Sequence, residues 1–166
     1  MKQTICGISE LAAHCGAGVT HVLSILDPGT PDPGELGTFP GHDRLTLRFH
    51  DILAPALGLV APEQKDIETL LGFGRRIAGD ESDHVLIHCH MGVSRSTAAA
   101  TALLLQAYPE TDEDAVLAQV LSIRPQAWPN ARMIALADEL LGRQGRIVEA
   151  LGRFYGRCLP MHPISR

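Results

Sequence analysis

Along the first half of the chain, apolar segments typical of strands alternate with segments in which hydrophobic positions recur at helical spacing. This pattern predicts strands and helices in turn. Three short segments rich in apolar and β-branched residues are predicted strands, at residues 4–8, 19–26 and 44–49, and the last alternates polar and apolar positions. A fourth segment, His84–His88, is apolar throughout its middle. That pattern is typical of a strand buried on both faces of a parallel sheet.

Helical spacing predicts a helix between several of these strands. Ser9 would cap a short helix over residues 10–14, and Pro62 would open a longer helix that reaches about Ala78. A helix is also predicted over residues 95–107, and its run from Ala98 to Leu105 has no polar face. We therefore expect them to form a buried central helix.

Two segments are predicted loops, and a further helix follows the central one. Residues 27–41 carry four prolines and four glycines. Residues 52–61 are apolar but contain a proline and a glycine, and they either line the mouth of a cleft or, as we expect, cap the core. Thr111 and Asp114 resemble a capping box for a helix that ends at residue 123.

The last third of the chain is predicted to be helical. Asn130 is a candidate cap for the final helical region, which Gly142 and Gly145 would split or kink. Strands that alternate with helices, and then give way to helices alone, indicate an α/β fold. We predict a central, mainly parallel sheet of about four to five strands flanked by helices, with a helical C-terminal part.

Composition narrows the class of protein. A chain of 166 residues with 45% hydrophobic and 20% charged residues fits one domain over residues 1–166. The net charge of −5 argues against a general nucleic-acid binder, and no apolar stretch is long enough to cross a membrane. Four cysteines without a CxxC pair, and no recognisable signal peptide, lead us to expect the reducing cytoplasm.

The segment that follows residues 84–88 carries the candidate chemistry. Its sequence is His88-Cys89-His90-Met91-Gly92-Val93-Ser94-Arg95-Ser96. A cysteine six positions before an arginine is weak evidence alone. The preceding histidine, the glycine and the final serine make the motif specific, and a predicted strand and helix on either side supply its structural context.

Each residue type in this segment has a physical role in phosphoryl transfer to sulfur. A thiolate of Cys89 would be the nucleophile, and Arg95 would grip two phosphate oxygens. Gly92 would let the backbone curl around the anion, Ser96 would hydrogen-bond the sulfur, and His88 would orient the loop. The residues expected to bind the phosphate are His90, Met91, Gly92, Val93, Ser94 and Arg95.

A metal site is not expected at this segment. Adjacent residues of a strand point to opposite faces of the sheet, so His88, Cys89 and His90 would not converge on one ion. The chemistry assigned to the loop also needs no cofactor. We expect neither a metal nor a cofactor.

The segment resembles the signature loop of the cysteine-dependent protein tyrosine phosphatase superfamily, and its Gly-x-Ser-Arg-Ser ending is most similar to the dual-specificity branch. The resemblance covers roughly residues 19–141. It implies that Cys89 attacks phosphorus while an aspartic acid protonates the leaving oxygen, and that water then hydrolyses the phosphocysteine. The implied partner is a phosphorylated protein or another phosphomonoester, with neither nucleic acid nor membrane.

The resemblance also implies an acid upstream of the loop, just after a strand. Asp51 ends the predicted strand 44–49 and fits that place best, whereas Asp43 and Asp27 fit less well. Arg124 begins a segment similar to the one that supports the signature loop in related phosphatases. Asn130, in the same segment, would either hydrogen-bond the loop or cap the next helix.

Two other functions stay open at this stage. A phosphatase with the same loop chemistry could act on a phosphoinositide or another non-protein phosphate. Neither His90 nor Val93 is basic, whereas phosphoinositide phosphatases of the similar branch often have lysines there. A non-catalytic phosphate-binding module is the other alternative, and the presence of Cys89, Arg95 and an acid argues against it.

Overall fold

Four parallel strands form the centre of the fold in the computed structural model, which describes residues 1–77 and 79–159. The strands are β1 (Lys2–Cys6), β2 (His21–Leu26), β3 (Asp43–Arg48) and β4 (His84–His88). Their order across the sheet is β1-β4-β2-β3, and each neighbouring pair is parallel. The predicted α/β class with a mainly parallel sheet is confirmed.

Helices cover both faces of this sheet. The α-helices of the described residues are α1 (Gln64–Arg76), α2 (Arg95–Ala107), α3 (Glu113–Ile123), α4 (Ala131–Leu140) and α5 (Arg146–Cys158). Two short 3-10 helices, Ile8–His14 and Gly34–Thr38, lie in the first two connections, the second of them inside the predicted loop 27–41. Helix α2 packs against α1, α3 and α4 as well as against β1 and β4, which explains why it has no polar face.

The two faces of the sheet bury separate groups of apolar side chains. On one face, Leu11 and Leu36 of the 3-10 helices pack against Val22 and Leu86 of the sheet. On the other face, the larger core lies between the sheet and the α-helices. Strand β4 is buried along its whole length because its side chains contribute to both groups.

The carboxyl ends of the four strands lie at one edge of the sheet, since all four run in the same direction. Gly7 follows β1, Asp27 follows β2, Phe49 follows β3 and Cys89 follows β4. Open α/β sheets bind their ligands outside this edge. The candidate nucleophile therefore lies where three other chain segments converge.

The predicted strand limits are wrong at several ends. Strand β1 covers Lys2–Cys6 rather than residues 4–8, because Gly7 turns the chain into the first 3-10 helix. Strand β2 begins at His21 rather than at residue 19, and β3 lies one residue earlier than predicted. The limits of β4 and α2 are as predicted.

The predicted start of the first helix is also wrong. Gly7, not Ser9, precedes it, and the segment Ile8–His14 is a 3-10 helix rather than an α-helix over residues 10–14. The backbone amide of Gly7 donates to Glu10 Oε2 at 2.7 Å. This contact closes the turn without the predicted serine cap.

The starts of α1 and α3 are shifted by one or two residues. Helix α1 follows Glu63 rather than opening at Pro62, and the predicted end at Ala78 lies outside the described residues. Helix α3 is capped by Asp112, whose side chain accepts from the amide of Ala115, and not by Thr111. The Asp112 carboxylate caps α3, whereas at the start of α1 the carboxylate of Asp66 accepts from the amide of Glu63 at 2.8 Å.

The C-terminal helical region follows the prediction. Asn130 caps α4 by accepting from the amide of Met133 at 3.0 Å. Gly142 and Gly145 then adopt positive φ values of 66° and 87°, which ends α4 and starts α5. The predicted split at these glycines is confirmed.

The apolar loop 52–61 does not cap the core as expected. Leu53 and Leu57 are 64% and 103% exposed, and Leu59 and Val60 are also exposed. Two hydrogen bonds close the base of this loop: the amide of Val60 donates to His50 Nδ1, and the amide of His50 donates to the carbonyl of Val60. The loop is thus a closed projection beside Asp51, with its leucines facing outward.

Candidate active site

The backbone between β4 and α2 forms a cradle around the sulfur of Cys89. Every carbonyl from residue 89 to residue 94 accepts a hydrogen bond from a group outside the cradle. The donors, in order, are His88 Nδ1 (3.3 Å), the amide of Ile8 (3.0 Å), Arg124 Nη2 (3.0 Å), Arg124 Nε (2.9 Å), the amide of Trp128 (2.9 Å) and the amide of Asn130 (3.2 Å). Because the carbonyls are held outward, the amides of the same peptides point the other way.

These amides supply the positive lining of the cradle. Gly92 donates its amide to Cys89 Sγ at 3.2 Å. Within the described residues, the amides of residues 90, 91, 93 and 94 have no hydrogen-bond acceptor. Convergent amides at the N-terminus of a helix, here α2, bind anions and stabilise a thiolate.

The sulfur of Cys89 is enclosed rather than exposed. Cys89 is 3% exposed, and its Sγ lies 3.2 Å from the hydroxyl oxygen of the fully buried Ser96. The neighbouring Cys6 has a different environment, because burial and the nearby Glu10 raise its pKa to about 12. Cys6 is therefore a thiol at neutral pH.

Arg95 is held in place by one of its nitrogens. Its Nη1 donates to Asp27 Oδ1 at 2.6 Å and to the carbonyl of Phe49 at 2.7 Å. Its Nε is buried and has no hydrogen-bond partner among the described residues. An unpaired buried donor is costly, and an oxygen of a bound phosphate would satisfy it.

Asp27 belongs to the site in a role that the sequence analysis did not assign to it. It had been considered as a less suitable acid, but its carboxylate pairs with Arg95 and its backbone amide donates to His90 Nε2 at 3.0 Å. Asp27 directly follows β2, the neighbour of β4. The shared edge of parallel strands was the signal that could have identified it.

Asp51, the predicted acid, lies against the cradle. Its Oδ1 accepts from Ser94 Oγ at 2.7 Å and from Asn130 Nδ2 at 2.8 Å. Its Oδ2 has no hydrogen-bond partner among the described residues. Asp43, the other alternative, lies at the opposite end of β3 and pairs with Arg76.

Asn130 satisfies both of the roles considered for it. Its Oδ1 caps α4, and its backbone amide donates to the carbonyl of Ser94. Its Nδ2 donates to Asp51, as well as to the carbonyl of Ile52 at 3.3 Å. One side chain thus connects the cradle, the acid and a helix.

Arg124 and Glu10 support the outer side of the cradle. The guanidinium donates to both carboxylate oxygens of Glu10, and it also holds the carbonyls of Met91 and Gly92. The hydrogen bonds from Arg124 lower the pKa of Glu10 below its ordinary value. The sequence predicted the Arg124 segment, but it did not lead to Glu10. The available signal for Glu10 was the Gly7-x-x-Glu10 spacing, which is typical of a capped turn.

His88 orients the cradle as a neutral imidazole. Its Nδ1 donates to the carbonyl of Cys89, because a carbonyl can only accept. Its Nε2, 2.6 Å from Ser24 Oγ, therefore accepts from the Ser24 hydroxyl, whose oxygen also accepts from Arg44 Nε. Burial lowers the pKa of His88 to about 4, which makes it unsuitable as a general base at neutral pH. Ser24 was missed, although a serine in a buried strand beside His88 is a signal.

Close packing against β1 explains why glycine occupies position 92. Gly92 has a φ of 70°, and a Cβ there would lie 2.5 Å from the carbonyl carbon of Cys6. The cradle therefore requires both the left-handed conformation and the absence of a side chain. The neighbouring Met91 is 73% exposed at the rim.

Two structural observations concern metals and membranes. Over residues 1–77 and 79–159, no three His, Cys, Asp or Glu side chains are grouped so that they could hold a metal ion. None of the described helices has the length and apolar character needed to cross a bilayer.

Solved structures with the same fold include phosphatases and a tyrosine phosphatase-like serine/threonine/tyrosine-interacting protein. Human DUSP28 is 20% identical with a TM-score of 0.63, covering 86% of this chain and 89% of that one. Cydia pomonella PTP-2 phosphatase is 21% identical with a TM-score of 0.65, covering 84% and 85%. PTPMT1 in complex with PI(5)P is 12% identical with a TM-score of 0.59, covering 95% of each chain.

The relationship is seen in the fold and not in the sequence. No family model matches the chain, and no curated protein matches it. The structural likeness extends over most of both chains in each pair. The chain therefore has the fold of the dual-specificity-like protein tyrosine phosphatases.

Proposed function

We propose that this protein is a phosphomonoester hydrolase of the protein tyrosine or dual-specificity type that works through a phosphocysteine intermediate. One observation carries the proposal. The cradle combines unpaired amides and the unpaired Nε of Arg95 with an enclosed Cys89 sulfur. A tetrahedral dianion fits this combination of donors, and it would bring phosphorus to the sulfur.

In the first step, the thiolate of Cys89 attacks phosphorus and an S–P bond forms as the P–O bond of the ester breaks. Asp51 Oδ2 gives its proton to the leaving oxygen. The hydrogen bonds from Ser94 and Asn130 hold Asp51 Oδ1, which leaves the second oxygen directed away from them. Arg95 and the amides stabilise the charge on the phosphoryl group in transit.

In the second step, water attacks phosphorus, the S–P bond breaks, and inorganic phosphate is released. Asp51 takes the proton from the attacking water, since the first step left it ionised. The hydroxyl of Ser96, 3.2 Å from the sulfur, donates to Cys89 Sγ as negative charge returns to it. The two steps need no group beyond those of this chain.

The charges around the cradle favour a substrate with a single phosphate. Arg44 and Arg48 pair with Asp32, at 3.7 Å and 2.5 Å, and Arg124 pairs with Glu10. Asp32 offsets only one of the two charges of Arg44 and Arg48, but residues 89–94 of the cradle add no lysine or arginine beside Arg95. We therefore favour a phosphorylated protein over a phosphoinositide, although one similar structure holds PI(5)P.

A substrate panel tests the proposal. Wild type should release phosphate from 4-nitrophenyl phosphate and from a phosphotyrosine peptide, and less from a phosphothreonine peptide or PI(5)P. Cys89→Ser should lower kcat/KM by at least ~10³-fold, because the hydroxyl is a much weaker nucleophile. Rapid denaturation during turnover, followed by mass spectrometry, should find one phosphoryl group on the peptide that contains Cys89.

Cys15→Ser is the matched control, since Cys15 is a free, partly exposed cysteine outside the cradle. This variant should keep wild-type turnover. No turnover of any ester, or turnover that survives Cys89→Ser, would overturn the proposed function. A preference for PI(5)P over the peptides would instead reject the protein substrate.

A further inference from the structure

A cleft of about 320 Å³ lies beside the cradle, and both Asp51 and Ser94 are part of its lining. Most of its walls are formed by Leu53, Trp128, Pro129 and Tyr155. The mechanism above uses Asp51 and Ser94 but none of the four apolar and aromatic residues.

One wall of the cleft is a fixed aromatic stack. The rings of Trp128 and Tyr155 lie 4.2 Å apart at an angle of 19°. Tyr155 donates its hydroxyl to the carbonyl of Pro129, and the amide of Trp128 donates to the carbonyl of Val93 in the cradle. These contacts join the stack both to α5 and to the loop that would hold the phosphate, so its position relative to the phosphate is set.

The opposite wall is formed by the exposed loop that follows the acid. Leu53 is 64% exposed although it lies at a concave site beside other apolar side chains. Burying such a side chain against a ligand removes apolar surface from water. The closure of the loop by His50 and Val60 keeps this wall in place without a ligand.

The charges of the cleft define the class of group that it fits. Among the described residues that line it, Asp51 is the one carboxylate, and no lysine, arginine or histidine is present. Burial and the nearby Asp51 raise the pKa of Tyr155 to about 12, so its phenol is neutral. A group with a second negative charge would lose hydration in this cleft without a cation to compensate it, whereas a neutral aromatic or aliphatic group would be accepted.

We propose that this cleft is a leaving-group subsite that binds a neutral apolar or aromatic group attached beyond the scissile oxygen. Asp51 must contact the leaving oxygen to protonate it, so the rest of the leaving group lies along the cleft that begins at Asp51. The inference rests on the proposed phosphatase function and adds its substrate class. Trp128 and Leu53 are the specificity-determining residues.

Aryl phosphates of similar leaving-group acidity provide the kinetic test. Wild type should hydrolyse 3- or 4-biphenylyl phosphate with a kcat/KM about 10-fold above that of phenyl phosphate, because the second ring buries apolar area in the cleft. In Trp128→Ala and Leu53→Ala this ratio should fall towards one. Leu53→Ala alters an exposed side chain, so it stays informative if Trp128→Ala fails to fold.

The matched control is Tyr108→Ala, an exposed aromatic at the opposite end of α2. It should leave both the ratio and the turnover of phenyl phosphate unchanged. A biphenylyl phosphate with a carboxylate on its distal ring should lose the preference in wild type. If the subsite were merely spacious rather than apolar, this last substrate would keep the preference.

Trp128 is the single tryptophan of the chain, which allows a test that does not depend on turnover. In Cys89→Ser, a saturating biphenylyl phosphate should change the tryptophan fluorescence, whereas inorganic phosphate, which has no group to place in the cleft, should not. Equal hydrolysis of all esters by wild type, or a ratio unaffected by both cleft variants, would overturn the subsite alone. Absence of Cys89-dependent hydrolysis would overturn the proposed phosphatase function. In that case, an unchanged tryptophan fluorescence with biphenylyl phosphate would also overturn the subsite.

Discussion

Arg124 donates to both carboxylate oxygens of Glu10, at 2.8 Å and 2.7 Å, across a separation of 114 positions in the chain. The same guanidinium holds the carbonyls of Met91 and Gly92. Glu10 also accepts from the amide of Gly7. The pair therefore joins the turn after β1, the end of α3 and the anion cradle, and it turns cradle carbonyls away from the sulfur.

Glu10→Gln should loosen this connection. The variant keeps the size of the side chain but loses the bidentate charged contact. We expect its free energy of unfolding to fall by about 1 kcal/mol, the value for a charged hydrogen bond that is partly open to solvent. Urea unfolding at about pH 7 measures it, and Glu110→Gln, an exposed glutamate without a partner in the described residues, should cause no change.

The Glu10 contribution should also depend on pH with a definite sign. Arg124 lowers the folded-state pKa of Glu10 below its ordinary value of 4.5. The folded protein therefore holds the carboxylate ionised at pH values where the unfolded chain binds a proton. The stability difference between wild type and Glu10→Gln should be complete above about pH 5 and should shrink as pH falls below 4.5. A difference that is constant with pH would contradict the charged pair.

Asp51→Asn should separate poor from good leaving groups. The asparagine Oδ1 can still accept from Ser94 and Asn130, so the variant removes the proton donor and keeps the surrounding contacts. We expect kcat/KM for phenyl phosphate to fall by about 10²-fold, with a much smaller loss for 4-nitrophenyl phosphate, whose leaving group needs little protonation. An unchanged rate with the poor leaving group would remove Asp51 as the acid.

Asp27→Asn should instead lower activity regardless of the leaving group. Asp27 is a positioning residue that acts through Arg95 Nη1, so its loss weakens the grip on phosphate. We expect a roughly 10-fold lower kcat/KM for both phenyl and 4-nitrophenyl phosphate. Asp32→Asn serves as the control, because Asp32 pairs with Arg44 and Arg48 rather than with Arg95. A leaving-group dependence in Asp27→Asn would show that this carboxylate donates the proton.

Gly92→Ala should disrupt the cradle, whereas Gly142→Ala should not. Both glycines have positive φ values, 70° and 66°, so both variants carry a similar backbone strain of about 1 kcal/mol. A Cβ at Gly92 would also meet the backbone of Cys6, whereas nothing lies within 4 Å of a Cβ at Gly142. We expect loss of phosphatase activity and an extra destabilisation of about 2 kcal/mol or more for Gly92→Ala alone. Thermal unfolding and turnover of 4-nitrophenyl phosphate measure the two effects, and equal behaviour would contradict the close approach.

Local features of the chain were sufficient for the parts of the fold that depend on neighbouring residues. The uniform apolar run of β4 and the missing polar face of α2 predicted both elements with their observed limits. The residue that begins or caps each helix was harder to predict, because several acidic and hydroxyl side chains lie close together in the sequence near each helix start. Asp112, for example, caps α3 where Thr111 was predicted to, and α1 begins after Glu63 rather than with Pro62 in its first turn.

By itself, the sequence determined the cradle: the order of residues 88–96, the strand before them and the helix after them. These features are contiguous, so spacing and periodicity reveal them. Only the tertiary structure decided which distant groups complete the site, since Asp27 and Glu10 reach Arg95 and Arg124 across 68 and 114 positions. It also decided that loop 52–61 stands outward as a wall of the cleft. Such contacts depend on the order of parallel strands and on the packing of helices over them, which no local pattern of hydrophobic and polar residues records.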